Sequence, residues 1–210
     1  DFHSYIEEIC VRYRLHGIQH YDESKSLIRR LSIFLRVCDA IEYAHSRGVI
    51  HGNLNPNSIM IGEFHAAYVQ NWGQARFSGK SIPYDGSNPA CLAPELLRGD
   101  LCDERTDVYS LGQLLYQTVT LRPAFAGDKP ELIREAVLAG RMPPVEHRFH
   151  ARIDADLRAI ILRATQRRPE SRYRSVSELS TDIRRYLNDE RLSFQRSTFS
   201  GSFFRFLRHN

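Results

Sequence analysis

No stretch of the 210-residue sequence approaches the ~18 consecutive apolar residues of a membrane-spanning helix, so no candidate span is present in it. Cysteine is sparse. Cys10, Cys38, Cys91 and Cys102 form no C-x-x-C pair, which argues against a zinc site or a disulfide framework and for reduced, buried thiols. No apolar leader segment opens the chain. Its first residue is Asp rather than Met, and a fragment of something longer is expected. Excess charge of one sign is also missing. The net charge is +4, which by itself points to neither a nucleic acid nor a membrane surface. No internal repeat is visible. What is there, 42% hydrophobic and 26% charged residues, suits one globular unit with a sizeable core.

Helical periodicity dominates. Phe2, Tyr5, Ile6, Ile9, Cys10 and Tyr13 predict an amphipathic helix over about 2–13. Residues 14–25 read as a polar loop. His16 and His20 there lack the intervening Glu and apolar frame of a helical metal motif, and they read as exposed loop histidines. Leu27, Leu31, Phe34, Leu35, Cys38, Ile41 and Glu42-Tyr43 carry a second helix over about 25–47. Ser58 to Ile61 and Ala67 to Val69, around a Gly62-Glu63 turn, predict a short hairpin. Residues 74–92 are rich in Gly, Ser, Pro and Asn and read as a surface loop.

Thr106 opens a helix to about Val119. Asp128 with Pro130 starts another, with Leu132, Ile133, Ala136 and Val137 as its buried side. Asp154 caps a helix carrying Leu157, Ile160, Ile161 and Ala164. Ser175-x-x-Glu178 is a capping box before Leu179, Ile183, Tyr186 and Leu187. The fold class predicted is mainly α, about six or seven helices with one small β-hairpin.

Six phrases stand out in order: Glu42 to Pro56, Asn71-Trp72-Gly73, Ala93-Pro94-Glu95, Arg105 to Gly112, Leu115 to Phe125, and Arg168-Pro169 to Ser175. Together they resemble the C-terminal lobe of the protein kinase superfamily, and most nearly the eukaryotic-like Ser/Thr kinases of bacteria. The stretch His51-Gly52-Asn53-Leu54-Asn55-Pro56-Asn57-Ser58 is similar to the catalytic loop H-R-D-L-x-x-x-N. The resemblance implies a kinase-like C-terminal lobe over 1–192 and a separate basic aromatic tail over 193–210. No G-x-G-x-x-G followed by V-A-I-K occurs. The N-terminal lobe is thus absent from this chain, and a parent protein could supply it upstream.

The resemblance also assigns roles. His51 would pack under the site. Asp107 would hydrogen-bond the loop backbone. Gly73 keeps its place after Asn71-Trp72, and Glu95 with Arg172 would form a buried ion pair. The chemical positions differ. Asn53 stands at the catalytic Asp, Asn55 at the Lys, and Ser58 and Asn71 at the two metal-ligand positions. Phosphoryl transfer needs a carboxylate that accepts the substrate proton and another that holds Mg²⁺. An amide is no base at neutral pH and brings no negative charge to a hard cation. Gly52 replaces the Arg that reads a phosphorylated activation loop. Five altered positions are more than a laboratory knockout usually carries.

The expectation is therefore a pseudokinase: a degenerate ATP site, no cofactor, and ATP and Mg only if residual activity exists. Protein partners are expected, an active kinase among them, and no nucleic acid. The location implied is cytoplasmic, as a free protein or as the cytoplasmic part of a membrane-anchored one. The alternative is an active or nucleotide-binding Ser/Thr kinase completed by an upstream lobe.

The tail holds Phe194, Phe199, Phe203, Phe204, Phe206 and Leu207 with Arg196, Arg205 and Arg208 and no acid. Such a segment suits an anionic membrane surface or a partner groove, or else it packs back or stays disordered. If the membrane reading holds, removing 193–210 is expected to reduce sedimentation with anionic liposomes. Equal binding with and without the segment refutes it.

Overall fold

A computed structural model of the chain describes residues 1–16, 23–81, 84 and 88–194. In chain order its elements are α1 (Phe2–His16), α2 (Glu23–Ser46), β1 (Val49–Ile50), β2 (Ile59–Ile61), β3 (Ala67–Val69), β4 (Arg76–Phe77) and β5 (Lys80–Ser81). Then follow α3 (Pro94–Arg98), β6 (Leu101–Cys102), α4 (Glu104–Thr120), α5 (Pro130–Ala139), α6 (Ala155–Ala164) and α7 (Val176–Leu187). The class is mainly α, as the periodicity predicts.

α4 is the central helix, with apolar and small residues making up most of its length. Every residue from Thr106 to Thr120 is buried. It begins at a reciprocal cap: the Asp103 carboxylate accepts from the Arg105 N–H, and the Thr106 hydroxyl accepts from the Asp103 N–H. α2, α6 and α7 pack around it. The α6 approach is close enough to demand glycine. A Cβ on Gly112 would lie 2.7 Å from Thr165 Cγ2 and 2.8 Å from Ala164 Cβ. Leu31, Phe34, Val37, Cys38 and Ile41 of α2 join Leu111, Leu115, Leu157, Ile160, Leu179 and Ile183 in the main core. A second core lies under α3 and α5, built from Ile50, Leu92, Leu96, Leu97, Tyr109, Ile133 and Val137.

The strands pair antiparallel in three twos: β1 with β4, β2 with β3, β5 with β6. The β2–β3 hairpin sets Ile59 against Val69, Met60 against Tyr68 and Ile61 against Ala67. The other two pairs have two residues a side. They tack the stretch read as a plain surface loop to the body, and two residues are too few to carry a sequence period.

Other local expectations are revised by packing. α1 runs on to His16, past the predicted end, while His20 lies outside the described residues. Tyr43 is exposed, with the Arg47 guanidinium 5.5 Å from its ring centroid. Leu132 is also exposed, and α5 buries only Ile133 and Val137 fully. The cap of α7 is half a box. The Ser175 hydroxyl accepts from Glu178 N–H, but the Glu178 carboxylate accepts from Arg174 N–H instead of returning to Ser175. α3 is a further short helix that begins within the Ala93-Pro94-Glu95 phrase, with Pro94 at its first position.

A buried ion pair ties α3 to the segment that precedes α7. Arg172 Nη1 and Nη2 donate to Glu95 Oε1 and Oε2 at 2.6 and 2.8 Å. The remaining guanidinium donors reach the carbonyls of Gln166, Arg105 and Arg167 at 2.7, 2.8 and 3.1 Å. The guanidinium also lies 4.8 Å from the Tyr109 ring centroid. All five N–H groups are thus used, which is what a fully buried guanidinium requires. Arg172→Met leaves the Glu95 charge stranded and is expected to cost ~3–5 kcal/mol in urea unfolding. The double change Glu95→Leu with Arg172→Met should recover much of that. A single-mutant loss under ~1 kcal/mol would contradict the pair's role.

Candidate functional site

The loop between β1 and β2 is shaped from below by Asp107, whose side chain is fully buried near the start of α4. Its Oδ2 accepts from the His51 N–H at 2.8 Å and its Oδ1 from the Gly52 N–H at 2.9 Å. His45, at the end of α2, adds Nε2 to Oδ2 at 2.8 Å. Three donors on one buried carboxylate are charge-assisted bonds and fix the loop's course. Gly52, between the two parts of that grip, has φ +71°, a left-handed conformation that glycine adopts without a Cβ penalty.

His51 is buried. Its Nε2 donates to the Gln70 carbonyl at 2.9 Å, and its Nδ1 accepts from the Asn53 N–H at 3.2 Å. Those two bonds select one neutral tautomer. Burial lowers the ring's pKa, which keeps it neutral near pH 7. The ring lies 4.6 Å from Trp72, tilted by 55°, and the Trp72 indole N–H donates to the Val69 carbonyl at 3.0 Å.

The polar residues above this floor bond to one another and to the loop backbone. Asn55 caps the short 3-10 turn Pro56–Ser58. Its Oδ1 accepts from Asn57 N–H at 2.9 Å, and its Nδ2 donates to the Asn53 carbonyl at 2.8 Å and to Asn53 Oδ1 at 3.3 Å. The Ser58 hydroxyl is buried. It donates to the Asn55 carbonyl at 2.7 Å and accepts from the Asn55 N–H at 3.0 Å. Asn71 sits at φ 64°, ψ 43°, a left-handed position that Asn tolerates better than most residues. Its Nδ2 reaches the Asn57 carbonyl at 3.3 Å. Asn53, Asn55, Ser58 and Asn71 thus gather around one loop, and Gly73 lies in the adjoining turn Trp72–Gln74. Glu95 and Arg172 stand apart, in the pair beneath α3.

Three neutral amides and one internally bonded hydroxyl do not fit a magnesium–triphosphate clamp, which requires anionic oxygens facing the cation. Of the nearby acids, Asp100 pairs with Arg98 at 2.7 Å and Glu63 is exposed at the hairpin turn. Asp85 lies outside the described residues. Among the described residues, no group of three or more His, Cys, Asp or Glu is arranged to hold a metal ion. A groove of about 550 Å³ opens nearby on Tyr5, Ile9, Arg12, Arg29 and Ile61, and the four loop residues do not line it.

Two features escape sequence reasoning. One is His45, which shares Asp107 with the loop. The other is the left-handed turn at Gly52. A histidine near a helix end reads as exposed unless the distant carboxylate is known, and Gly52 by itself shows only a missing arginine.

The sequence profile described as "Protein kinase domain" matches residues 3–195. The chain is 34% identical over 193 residues to the serine/threonine-protein kinase PknB of Mycobacterium tuberculosis, covering 89% of this chain and 30% of that protein. Against PknB of Mycobacterium leprae the identity is 34% over 175 residues, 80% of this chain and 28% of the relative. Against the serine/threonine-protein kinase PknD of Chlamydia caviae it is 32% over 214 residues, 87% and 22%. The chain therefore spans less than a third of the length of these relatives.

The sign of one substitution checks the loop geometry. Gly→Ala in ordinary backbone raises stability by ~0.4–1 kcal/mol, whereas at positive φ it lowers it. Gly52→Ala is expected to lower the urea unfolding free energy by ~1–2 kcal/mol. A rise would show that the loop does not take the left-handed turn.

Proposed function

Because the chain belongs to the protein kinase domain family, we propose that it is a pseudokinase lobe, catalytically inactive and acting through protein–protein contacts. The observation that carries this reading is the chemical character of the loop. Asp107 holds its backbone, yet the side chains it presents are Asn53, Asn55, Ser58 and Asn71, bonded to the loop itself. A general base near pH 7 requires a group that can take up a proton, and none of these four is one. Keeping a buried carboxylate satisfied is costly unless its donors stay in place. The persistence of that arrangement without the acid chemistry favours a loop kept for its shape.

Protein partners, an active kinase or a signalling complex among them, fit the exposed apolar edge of the hairpin. Met60 and Tyr68 face each other across β2 and β3, and Phe64 at the turn is 90% exposed with φ 54°. Exposed apolar side chains on one hairpin suit a protein–protein contact. Residues 1–192 form the lobe in this reading. It calls for no cofactor.

The names of the relatives favour a second reading. PknB and PknD are serine/threonine-protein kinases, and an upstream segment could complete a nucleotide site here. The two readings separate with the purified parent protein, Mg·ATP and a generic protein substrate. No phosphoryl transfer above background is expected. Transfer that disappears with Asn53→Ala overturns the pseudokinase reading. ATP with Mg²⁺ is likewise expected to leave thermal unfolding unchanged, whereas stabilisation of ~2–3 kcal/mol at ~100-fold excess over Kd would report retained nucleotide binding.

A further inference from the structure

The carboxylate of Asp182 on α7 is fully buried and uses both oxygens. Oδ2 accepts from the Tyr173 hydroxyl at 3.0 Å and from the Ser193 hydroxyl at 2.8 Å. Oδ1 accepts from the Ser193 N–H at 2.7 Å and, more weakly, from Arg185 Nη1 at 3.4 Å. Ser193 therefore grips one buried charge with both its backbone and its side chain. Its neighbours extend the hold. Leu192 is buried in the main core. Phe194 packs with its ring 6.1 Å from that of Tyr173, and the Arg163 guanidinium lies 4.4 Å from the Tyr173 centroid and 4.7 Å from that of Phe194. These three residues strap the chain to α6 and α7 just before the basic aromatic stretch that follows in sequence.

Ser193 is exposed even though the group it binds is not. Its hydroxyl is the only one of its contacts that a modifying enzyme could convert. Arg191 precedes it by two residues and Arg196 follows by three, a cationic setting that suits a kinase with acidic substrate-binding subsites.

We propose that Ser193 is a phosphorylation site and that its phosphate releases this strap. A Ser/Thr kinase acting in trans supplies the phosphoryl group from ATP. Ser193 Oγ forms a bond to the γ-phosphorus as the bond from that phosphorus to the β,γ-bridging oxygen breaks. ADP leaves, and the hydroxyl proton passes through the acting kinase's base to solvent. The product replaces a donor to Asp182 with an acceptor group carrying about −1.5 to −2 charges at pH 7. Two anions then share a site that holds one, and only one of them can move. Asp182 is fixed in α7, whereas Ser193 lies in a turn. Arg163 and Arg185 offset part of the repulsion, but Arg163 is held between two rings and Arg185 already reaches Asp182.

The test uses the full 210-residue chain with phosphoserine incorporated at 193 during synthesis, read by amide hydrogen exchange. Exchange of the Ser193 amide is expected to accelerate by at least about tenfold while α4 amides stay protected. Ser193→Ala removes the hydroxyl but keeps the N–H bond, and it should accelerate exchange by less than about threefold. Phosphoserine combined with Asp182→Asn should lose most of its effect, because the opposing charge is gone. Unchanged exchange in the phosphoserine chain overturns the proposal, as does equal acceleration by Ser193→Ala. The acceptor itself is tested with an arginine-directed Ser/Thr kinase, Mg·ATP and peptide mapping. Phosphate at Ser193 is expected. Failure to label Ser193 in the folded chain, when the same kinase labels a peptide spanning 188–198, also overturns it.

Discussion

One buried carboxylate sets the form of the candidate site. Asp107 cannot stay charged in the core without donors, and it takes them from His51 N–H, Gly52 N–H and His45 Nε2. Each bond has a structural consequence. Gripping two successive amides forces the turn at Gly52. That turn aims the His51 ring at the Gln70 carbonyl and brings the Asn53 amide over its other nitrogen. The ring in turn supports Trp72, at the corner where the hairpin ends. The turn at His51 and Gly52 is thus set from below, while the side chains of Asn55 and Ser58 brace the 3-10 turn that follows. Backbone amides and a buried acid do the holding at that turn.

The same rule governs the other buried charges. Arg172 spends all five donors on Glu95 and three carbonyls, and Asp182 fills both oxygens with hydroxyl, amide and guanidinium donors. Arg30, also buried, reaches the Thr118 carbonyl at 2.6 Å. These groups sit where helices meet, so each polar knot fixes the relation of two or more elements that apolar packing alone would leave freer to slide. The placement of the Ser193 strap follows from one of these knots. Leu192 is drawn in by the core, and Ser193 is drawn in by a charge that needs partners.

The helices were legible because their apolar residues recur at 3.6-residue spacing and their starts carry local signals. Asp103, Asp154 and Ser175 each cap from within three residues. The loop frame was legible too, because motif order survives in His51, Leu54, Pro56, Glu95, Asp107 and Arg172. Tyr43 and Leu132 misled because an apolar residue beside a buried stripe obeys the same period as one inside it. Whether it is covered depends on a neighbouring element. The β1–β4 and β5–β6 pairs left no trace in the pattern, since two residues a side have no period to show.

Sequence alone determined the mainly α class and the caps, because these depend on residue type and near neighbours. Tertiary structure decided what spans long separations. His45 and Asp107 are 62 positions apart, Arg172 and Glu95 are 77 apart, and no local pattern specifies either meeting. It also decided that Ser58 turns its hydroxyl back on Asn55, that Gly52 takes a left-handed turn, and that Ser193 finds Asp182. In these cases a buried polar group took the partner that the assembled fold brought within reach, because leaving it without one is costly.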